Sequence, residues 1–230
     1  MEKHTAYCVS LGPGDPGLLT LKALSVLKSS DRVFCPGTSG GSRAGDLLLV
    51  HGIPEERLTL FAVPMKADRS EATRVYLQVA EEIEELAKRG QKVSFVAEGD
   101  GGFYSSQHYI ADFLQDKGEV NVSFVPGVPA FIAAGARAGL HVAKGDEGLL
   151  VLPLVQSPDE IEEALSQRRT VVLMKPSRSE GAIKEVLRKG EIREVHYLEN
   201  VGVAGREFLS DDLPTILSRP FPYFSILILK

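Results

Sequence analysis

The chain has 230 residues, 43% apolar and 25% charged, which suffices for a sizeable core and between one and two domains of roughly 150 residues each. The formal net charge is -5. No Lys/Arg block or basic helix face stands out, which argues against general nucleic-acid binding, and the longest apolar runs, such as Gly148 to Val155, are far too short to span a bilayer.

In chain order, Tyr7–Leu11 reads as a strand, and Leu19–Leu27 as a helix with Thr20 or Ser25 as a capping or solvent-facing residue. Strands follow at Arg32–Cys35 and Leu58–Val63. Ser70–Arg89 is the longest helix: Val75, Val79, Ile83, Leu86 and Ala87 make an apolar stripe, with the Glu81–Glu85 charges opposite. Then come a strand at Lys92–Val96, a helix over Phe103–Gln115, a strand at Val122–Val125 and a helix over Ala130–Ala138. In the second half, Leu149–Leu152, Thr170–Met174, Glu194–Leu198 and Ser225–Leu229 read as strands, and Ser157–Gln167 and Ser179–Arg188 as helices.

Alternating strands and helices predict an α/β chain whose first half is a parallel wound sheet. Unbroken apolar strands fit a sheet buried on both faces. The terminal strand FSILIL suggests a mixed sheet in the second half. The boundary is expected near Pro126-Gly127, giving domains over 1–127 and 128–230. Cys8 and Cys35 lie in apolar runs without CxxC spacing and read as buried, reduced thiols. The five histidines are scattered, so no metal site is expected. The N-terminus MEKHTAYC has no signal-like apolar core, and a cytoplasmic location is expected.

Ligands of open parallel sheets bind beyond the carboxyl ends of the strands. The segments there are GPGDP (Gly12–Pro16), CPGTSGGSRAGD (Cys35–Asp46), VPMKADR (Val63–Arg69), AEGDGGFYSS (Ala97–Ser106) and PGVPAF (Pro126–Phe131). All are rich in glycine or proline and suggest a preformed pocket. None carries the lysine of a phosphate loop, and Gly-Asp stands in GPGDP at Gly14-Asp15 and in AEGDGGFYSS at Gly99-Asp100. An aspartate at the tip suits ribose hydroxyls or a cationic ligand, so an adenosine bearing a sulfonium fits better than a dinucleotide. Arg43, Lys66, Arg69, Arg74, Lys144, Lys175 and Arg178 form a basic set that together could receive substrate carboxylates.

GPGDPGLLTLKALSVLKSSDRVF, VPMKADR, SFVAEGDGGFYSS, VSFVPGVPAFIAAGARAGLHVAKGDEGLLVLP, VVLMKPSR and PYFSILILK together resemble the tetrapyrrole methylases, over about Tyr7 to Lys230. KGDEGLLVLP, LMKPSR and PYFS are most similar to the C-20 methyltransferases acting on precorrin-2 or cobalt-factor II in cobalamin synthesis. The resemblance implies two α/β domains with S-adenosylmethionine in the cleft between them, S-adenosylhomocysteine as product, and a homodimer. It implies cofactor contacts from Pro13, Gly99, Asp100, Phe103, Pro129, Ala130, Met174, Val201, Gly202, Val203 and Tyr223. One departure stands out. The family carries a proline where Gly101 stands, so with Gly102 behind it the loop is expected to be looser.

The implied reaction moves a methyl group from sulfur to a meso carbon of an electron-rich tetrapyrrole. A base for the proton on that carbon is sought among Asp100, Tyr104 and His108, the last two four residues apart and so expected on one helix face. Competing readings are a sister methylase with another acceptor, a dinucleotide-dependent dehydrogenase, disfavoured by the lack of GxGxxG, and a non-catalytic S-adenosylmethionine- or tetrapyrrole-binding homologue.

Overall fold

The computed structural model describes residues 4–38, 40–64, 69–190 and 192–230. The chain divides into two compact units, Met1–Pro129 and Ala130–Lys230.

The first unit is a five-stranded, all-parallel sheet in the order β3-β2-β4-β1-β5, made of β1 (Thr5–Ser10), β2 (Arg32–Pro36), β3 (Leu58–Phe61), β4 (Val93–Ala97) and β5 (Asn121–Val125). Side chains alternate between two apolar layers. Cys8, Phe34 and Phe95 pack with Ile83, Ile110 and Leu114, from α3 (Ser70–Lys88) and α4 (His108–Lys117). Val9, Val33, Cys35 and Val96 pack with Ala23, Leu27, Leu47 and Leu48, from α1 (Leu21–Ser29) and α2 (Arg43–Val50). This double burial is why all five residues of β4, Ser94 included, are buried. Each fully buried Phe, Leu or Ile here contributes on the order of 1.5–3 kcal/mol. Because β4 inserts between β2 and β1, the loops leaving β4, β1 and β5 become neighbours.

The second unit is a mixed sheet in the order β6-β7-β10-β8-β9, from β6 (Gly148–Leu152), β7 (Arg169–Met174), β8 (Val195–Glu199), β9 (Phe208–Ser210) and β10 (Ser225–Leu229). Among the described residues of this sheet, β6 and β7 pair in parallel and the other pairs are antiparallel. The chain's last strand, β10, is central and fully buried. α6 (Pro158–Ser166), α7 (Glu180–Lys189) and α8 (Leu213–Ser218) supply Ile161, Ile183, Leu187 and Ile216 to its core, and α5 (Ala130–Arg137) lies against β10. No helix among the described residues is long and apolar enough to cross a membrane.

Several local expectations are corrected. Residues 43–50 form a helix, where the glycine-rich composition reads as loop to Asp46. β9 and α8 are additional elements. Of the Glu81–Glu85 charges, Glu84 lies on the buried side, 6% exposed, where its carboxylate accepts from Lys88 (2.5 Å) and Lys117 (2.9 Å). Thr20 caps α1, accepting from the Ala23 N–H at 3.1 Å. Helix α4 starts at His108, not Phe103, so Tyr104 and His108 do not share a helix face: Tyr104 sits in the preceding turn with φ +49°.

Candidate active site

The carboxyl edge of the first sheet is stitched from three loops. Gly12 and Gly99 exchange backbone hydrogen bonds, Gly12 N–H to Gly99 C=O at 3.0 Å and the reverse at 2.7 Å. Both hold positive φ, +77° and +74°, which a side chain resists. Between them the Asp100 carboxylate gathers donors from every side. Its Oδ2 accepts from the Gly127 N–H (2.7 Å) and the Ser10 hydroxyl (3.5 Å), and its Oδ1 from the Gly102 N–H (2.9 Å). Ser10 Oγ in turn accepts from the Gly101 N–H at 2.8 Å. The loops after β4, β1 and β5 are thereby locked together.

The slack expected of Gly101-Gly102 is absent. Gly101 is buried, and a Cβ there would lie 2.8 Å from Cys8 Sγ. Glycine stands at 101 because Cys8 and Ser10 fill the space beneath the loop. Gly127 is equally constrained: a Cβ would meet Ser10 Cβ at 2.5 Å and the Gly99 carbonyl oxygen at 2.8 Å. Burial, with the nearby Asp100 charge adding, pushes the Cys8 thiol up to about 12, and burial raises Cys35 to about 11, so neither is a thiolate at neutral pH.

Asp15 of GPGDP accepts from the Gly17 N–H at 2.8 Å, capping the 3-10 turn Pro16–Leu18 behind Pro13. Phe103 and Tyr104 meet edge to face, centroids 4.7 Å apart, and Tyr104 is 46% exposed. His108, exposed at the start of α4, places Nδ1 2.9 Å from the Ser105 carbonyl and lays its ring against Tyr109. A ring nitrogen facing a carbonyl carries the proton, which leaves the lone pair of the neutral imidazole on Nε2. Next to it, Gln107 Oε1 is buried without a hydrogen-bond partner among the described residues. At the same sheet edge Glu98 lies 3.7 Å from Arg43, and burial raises its carboxyl above the usual range against the pull of that guanidinium.

In the second unit the predicted residues collect where β7 and β8 end and β10 begins. Met174 closes β7 opposite Ile226. Lys175 follows with φ +54°, its ammonium 5.9 Å from the centre of the Tyr223 ring. Tyr223 meets Phe224 edge to face at 5.0 Å. The turn after β8 brings Val201, Gly202 and Val203, and is tied back by the Asn200 N–H to the Phe224 carbonyl at 2.8 Å. Of the remaining predicted residues, Pro129 ends the first unit and Ala130 opens α5 in the second. The basic set is not one cluster. Lys144 precedes β6, at the end of its sheet opposite Met174 and Tyr223. Arg74 is exposed on α3, and Lys66 lies outside the described residues.

Ser10, Arg137, Asn200 and Glu207 were missed from sequence. Ser10 alone carried a signal: a polar residue ending an apolar strand just before GPGDP.

The profile of the Tetrapyrrole (Corrin/Porphyrin) Methylases matches residues 5–216. The chain belongs to the tetrapyrrole methylases. A Cobalt-precorrin-2 C(20)-methyltransferase from Salmonella typhimurium is 30% identical, covering 97% of this chain and 95% of its own. A Precorrin-2 C(20)-methyltransferase from a Sinorhizobium species is 28% identical over 96% and 92%. The crystal structure of a cobalt precorrin-4 methyltransferase superposes with a TM-score of 0.72, covering 98% and 94% at 19% identity, which speaks for the fold. In this methylase the three stitched loops are GPGDP after β1, the Gly99-Asp100 segment after β4 and the Pro126-Gly127 segment after β5.

Proposed function

We propose that this tetrapyrrole methylase transfers a methyl group from S-adenosylmethionine to C-20 of precorrin-2 or cobalt-factor II in cobalamin synthesis. The full-length similarity to two C-20 methyltransferases carries this reading. The site chemistry agrees with the cofactor. The stitched loops bring backbone groups and no phosphate-loop lysine to the sheet edge, which suits a zwitterionic nucleoside sulfonium better than a polyphosphate. The unspent Gln107 oxygen is an acceptor beside the same loop, matched to a ligand that brings an N–H donor.

In this reading Pro13, Gly99, Asp100, Phe103, Pro129, Ala130, Met174, Val201, Gly202, Val203 and Tyr223 contact the cofactor. S-adenosylmethionine supplies an electrophilic methyl group. The acceptor carbon is itself the nucleophile, so the protein's main task is alignment, worth roughly 7–11 kcal/mol in favourable cases. Asp100, with three donors on its two oxygens, anchors the loop. His108, with Nε2 free to accept, is the candidate the geometry favours for taking the proton from the methylated carbon, and Tyr104 stands beside it in sequence. The protein is proposed to act in the cytoplasm as a homodimer, which light scattering at twice the chain mass checks.

Calorimetry tests the cofactor directly. S-adenosylhomocysteine is expected to bind and to raise the melting temperature, NAD and ATP to do neither. Binding of NAD or ATP in its place overturns the reading.

A further inference from the structure

Lys175 holds a backbone conformation that its side chain resists. Its φ is +54° and its ψ +46°, the left-handed region that favours glycine. Pro176 follows it, and a residue before proline is pushed towards extended backbone with ψ of about +120 to +160°. Two local preferences are overridden at one residue, and strain of this kind collects at ligand clamps. The register shows what this backbone achieves. β7 pairs antiparallel with β10, Met174 opposite Ile226, so Lys175 leaves β7 where Tyr223 and Phe224 lead into β10. Lys175 is half-buried, and its ammonium lies 5.9 Å from the centre of the Tyr223 ring. Tyr223 is 39% and Phe224 44% exposed, and their rings meet edge to face at 5.0 Å. Phe224 is pinned through its carbonyl, which accepts from the Asn200 N–H at 2.8 Å. The turn after Asn200 is itself braced: the Gly202 N–H reaches Glu207 Oε1 at 2.9 Å, and Arg137 Nε holds Glu207 Oε2 at 2.9 Å. From Met174 to Ser179 the charged residues are Lys175 and the exposed Arg178, with no acid among them.

We propose that Lys175, Tyr223 and Phe224 form the docking surface for the tetrapyrrole acceptor, with Lys175 as the binding residue for one of its carboxylates. This rests on the acceptor being a tetrapyrrole, and not on which of its carbons is methylated. A conjugated macrocycle with acid side chains matches the surface in both respects. Exposed aromatic rings take a flat π-system, and an ammonium set beside them takes a carboxylate by a charge-assisted hydrogen bond. The left-handed backbone sets the direction in which the lysine stem leaves β7; extended backbone at this position would send it elsewhere. Tyr223, proposed above as a cofactor contact, then borders both ligands, which must meet for methyl transfer.

The test is absorption titration with precorrin-2 and with cobalt-factor II, and calorimetry with S-adenosylhomocysteine, in the wild type, Lys175→Gln, Lys175→Arg and Lys175→Gly, with thermal melts of each. Lys175→Gln is expected to bind the tetrapyrroles about tenfold more weakly, the scale of one lost hydrogen bond to a charged group, with S-adenosylhomocysteine affinity unchanged. Lys175→Arg is expected to recover most of that affinity. Lys175→Gly relieves the backbone and is expected to melt about 2–4 °C above the wild type, yet to bind the tetrapyrroles about tenfold more weakly. A merely structural lysine does not give a gain in stability together with a loss of binding. A folded Lys175→Gln variant that binds the tetrapyrroles like the wild type overturns the proposal, as does one whose loss falls on S-adenosylhomocysteine instead. A Lys175→Gly variant that melts no higher than the wild type removes the strain on which the lysine was singled out and overturns it too. A wild type that binds S-adenosylhomocysteine but neither tetrapyrrole overturns the surface and the C-20 reading together. Acceptor binding that depends on Lys175, with the label landing on another carbon, supports the surface and overturns the C-20 reading alone.

Discussion

The Asp100 carboxylate accepts the Gly127 N–H at 2.7 Å, joining the loop after β4 to the loop after β5. β1 lies between these two strands, and Ser10 at its end is hydrogen-bonded to Asp100 and Gly101 of the loop after β4. The relationship makes Asp100 the keystone of the sheet edge. Asp100→Asn keeps the size but turns an N–H₂ towards a backbone N–H. It is expected to cost about 2 kcal/mol and to lower the melting temperature by about 4–8 °C, with cofactor affinity falling at least about tenfold as the loops part. Thermal melts and calorimetry read both; unchanged values for each contradict the anchoring role.

Gly101 and Cys8 share one space. Gly101→Ala drives a Cβ towards Cys8 Sγ at 2.8 Å and is expected to destabilise by about 1–3 kcal/mol. Cys8→Ala opens the space. In a double-mutant cycle by urea denaturation the paired variant recovers part of the Gly101→Ala loss, a coupling of about 0.5–3 kcal/mol. Strict additivity shows that the two positions do not compete.

His108→Ala is expected to lower kcat by about 10²-fold or more, the usual range for removal of a general base, with S-adenosylhomocysteine affinity unchanged. Tyr104→Phe keeps the ring contact with Phe103 and is expected to change kcat by less than His108→Ala. A larger effect at Tyr104 than at His108 reverses the assignment.

Glu84 is nearly buried and its carboxyl is held below its ordinary value of 4.5, first by the Lys88 hydrogen bond and then by that of Lys117. Its folded pKa lies below its unfolded one. The stability it contributes is therefore present above pH 4.5 and is lost as pH falls through the lowered folded value. Wild type is expected to exceed Glu84→Gln in stability at pH 7, and the gap to shrink on acidification below pH 4.5. Chemical denaturation at several pH values checks this; a gap independent of pH removes the ion cluster as its cause.

Much of the fold is legible because its strands are continuous apolar runs punctuated by glycine and proline. Tyr7–Leu11 before GPGDP announces strand, loop and helix by composition alone. The elements that escape are short. β9 has three residues and α8 six, and α2 hides behind Gly40-Gly41, with only Leu47 and Leu48 as large buried contributions. The start of α4 escapes because Phe103–Gln107 has helix-like apolar spacing, whereas Tyr104 adopts φ +49° in a turn. Sheet order is not a local property at all: nothing around Ser225–Leu229 says that it will lie between β7 and β8. The site is legible in its glycines and Asp100. Its supports are not, because Ser10, Glu207 and Arg137 act across separations of 90 residues for Ser10–Asp100 and 70 for Arg137–Glu207.

Methyl transfer to C-20 of the tetrapyrrole is open to direct measurement. The direct measurement offers purified protein and isotopically labelled S-adenosylmethionine precorrin-2 and cobalt-factor II in parallel, and follows product mass and the position of the label. A product one methyl heavier, labelled at C-20, is expected from at least one acceptor, and the preferred acceptor names the pathway. A protein that binds S-adenosylmethionine yet methylates neither acceptor, or labels another carbon, contradicts it.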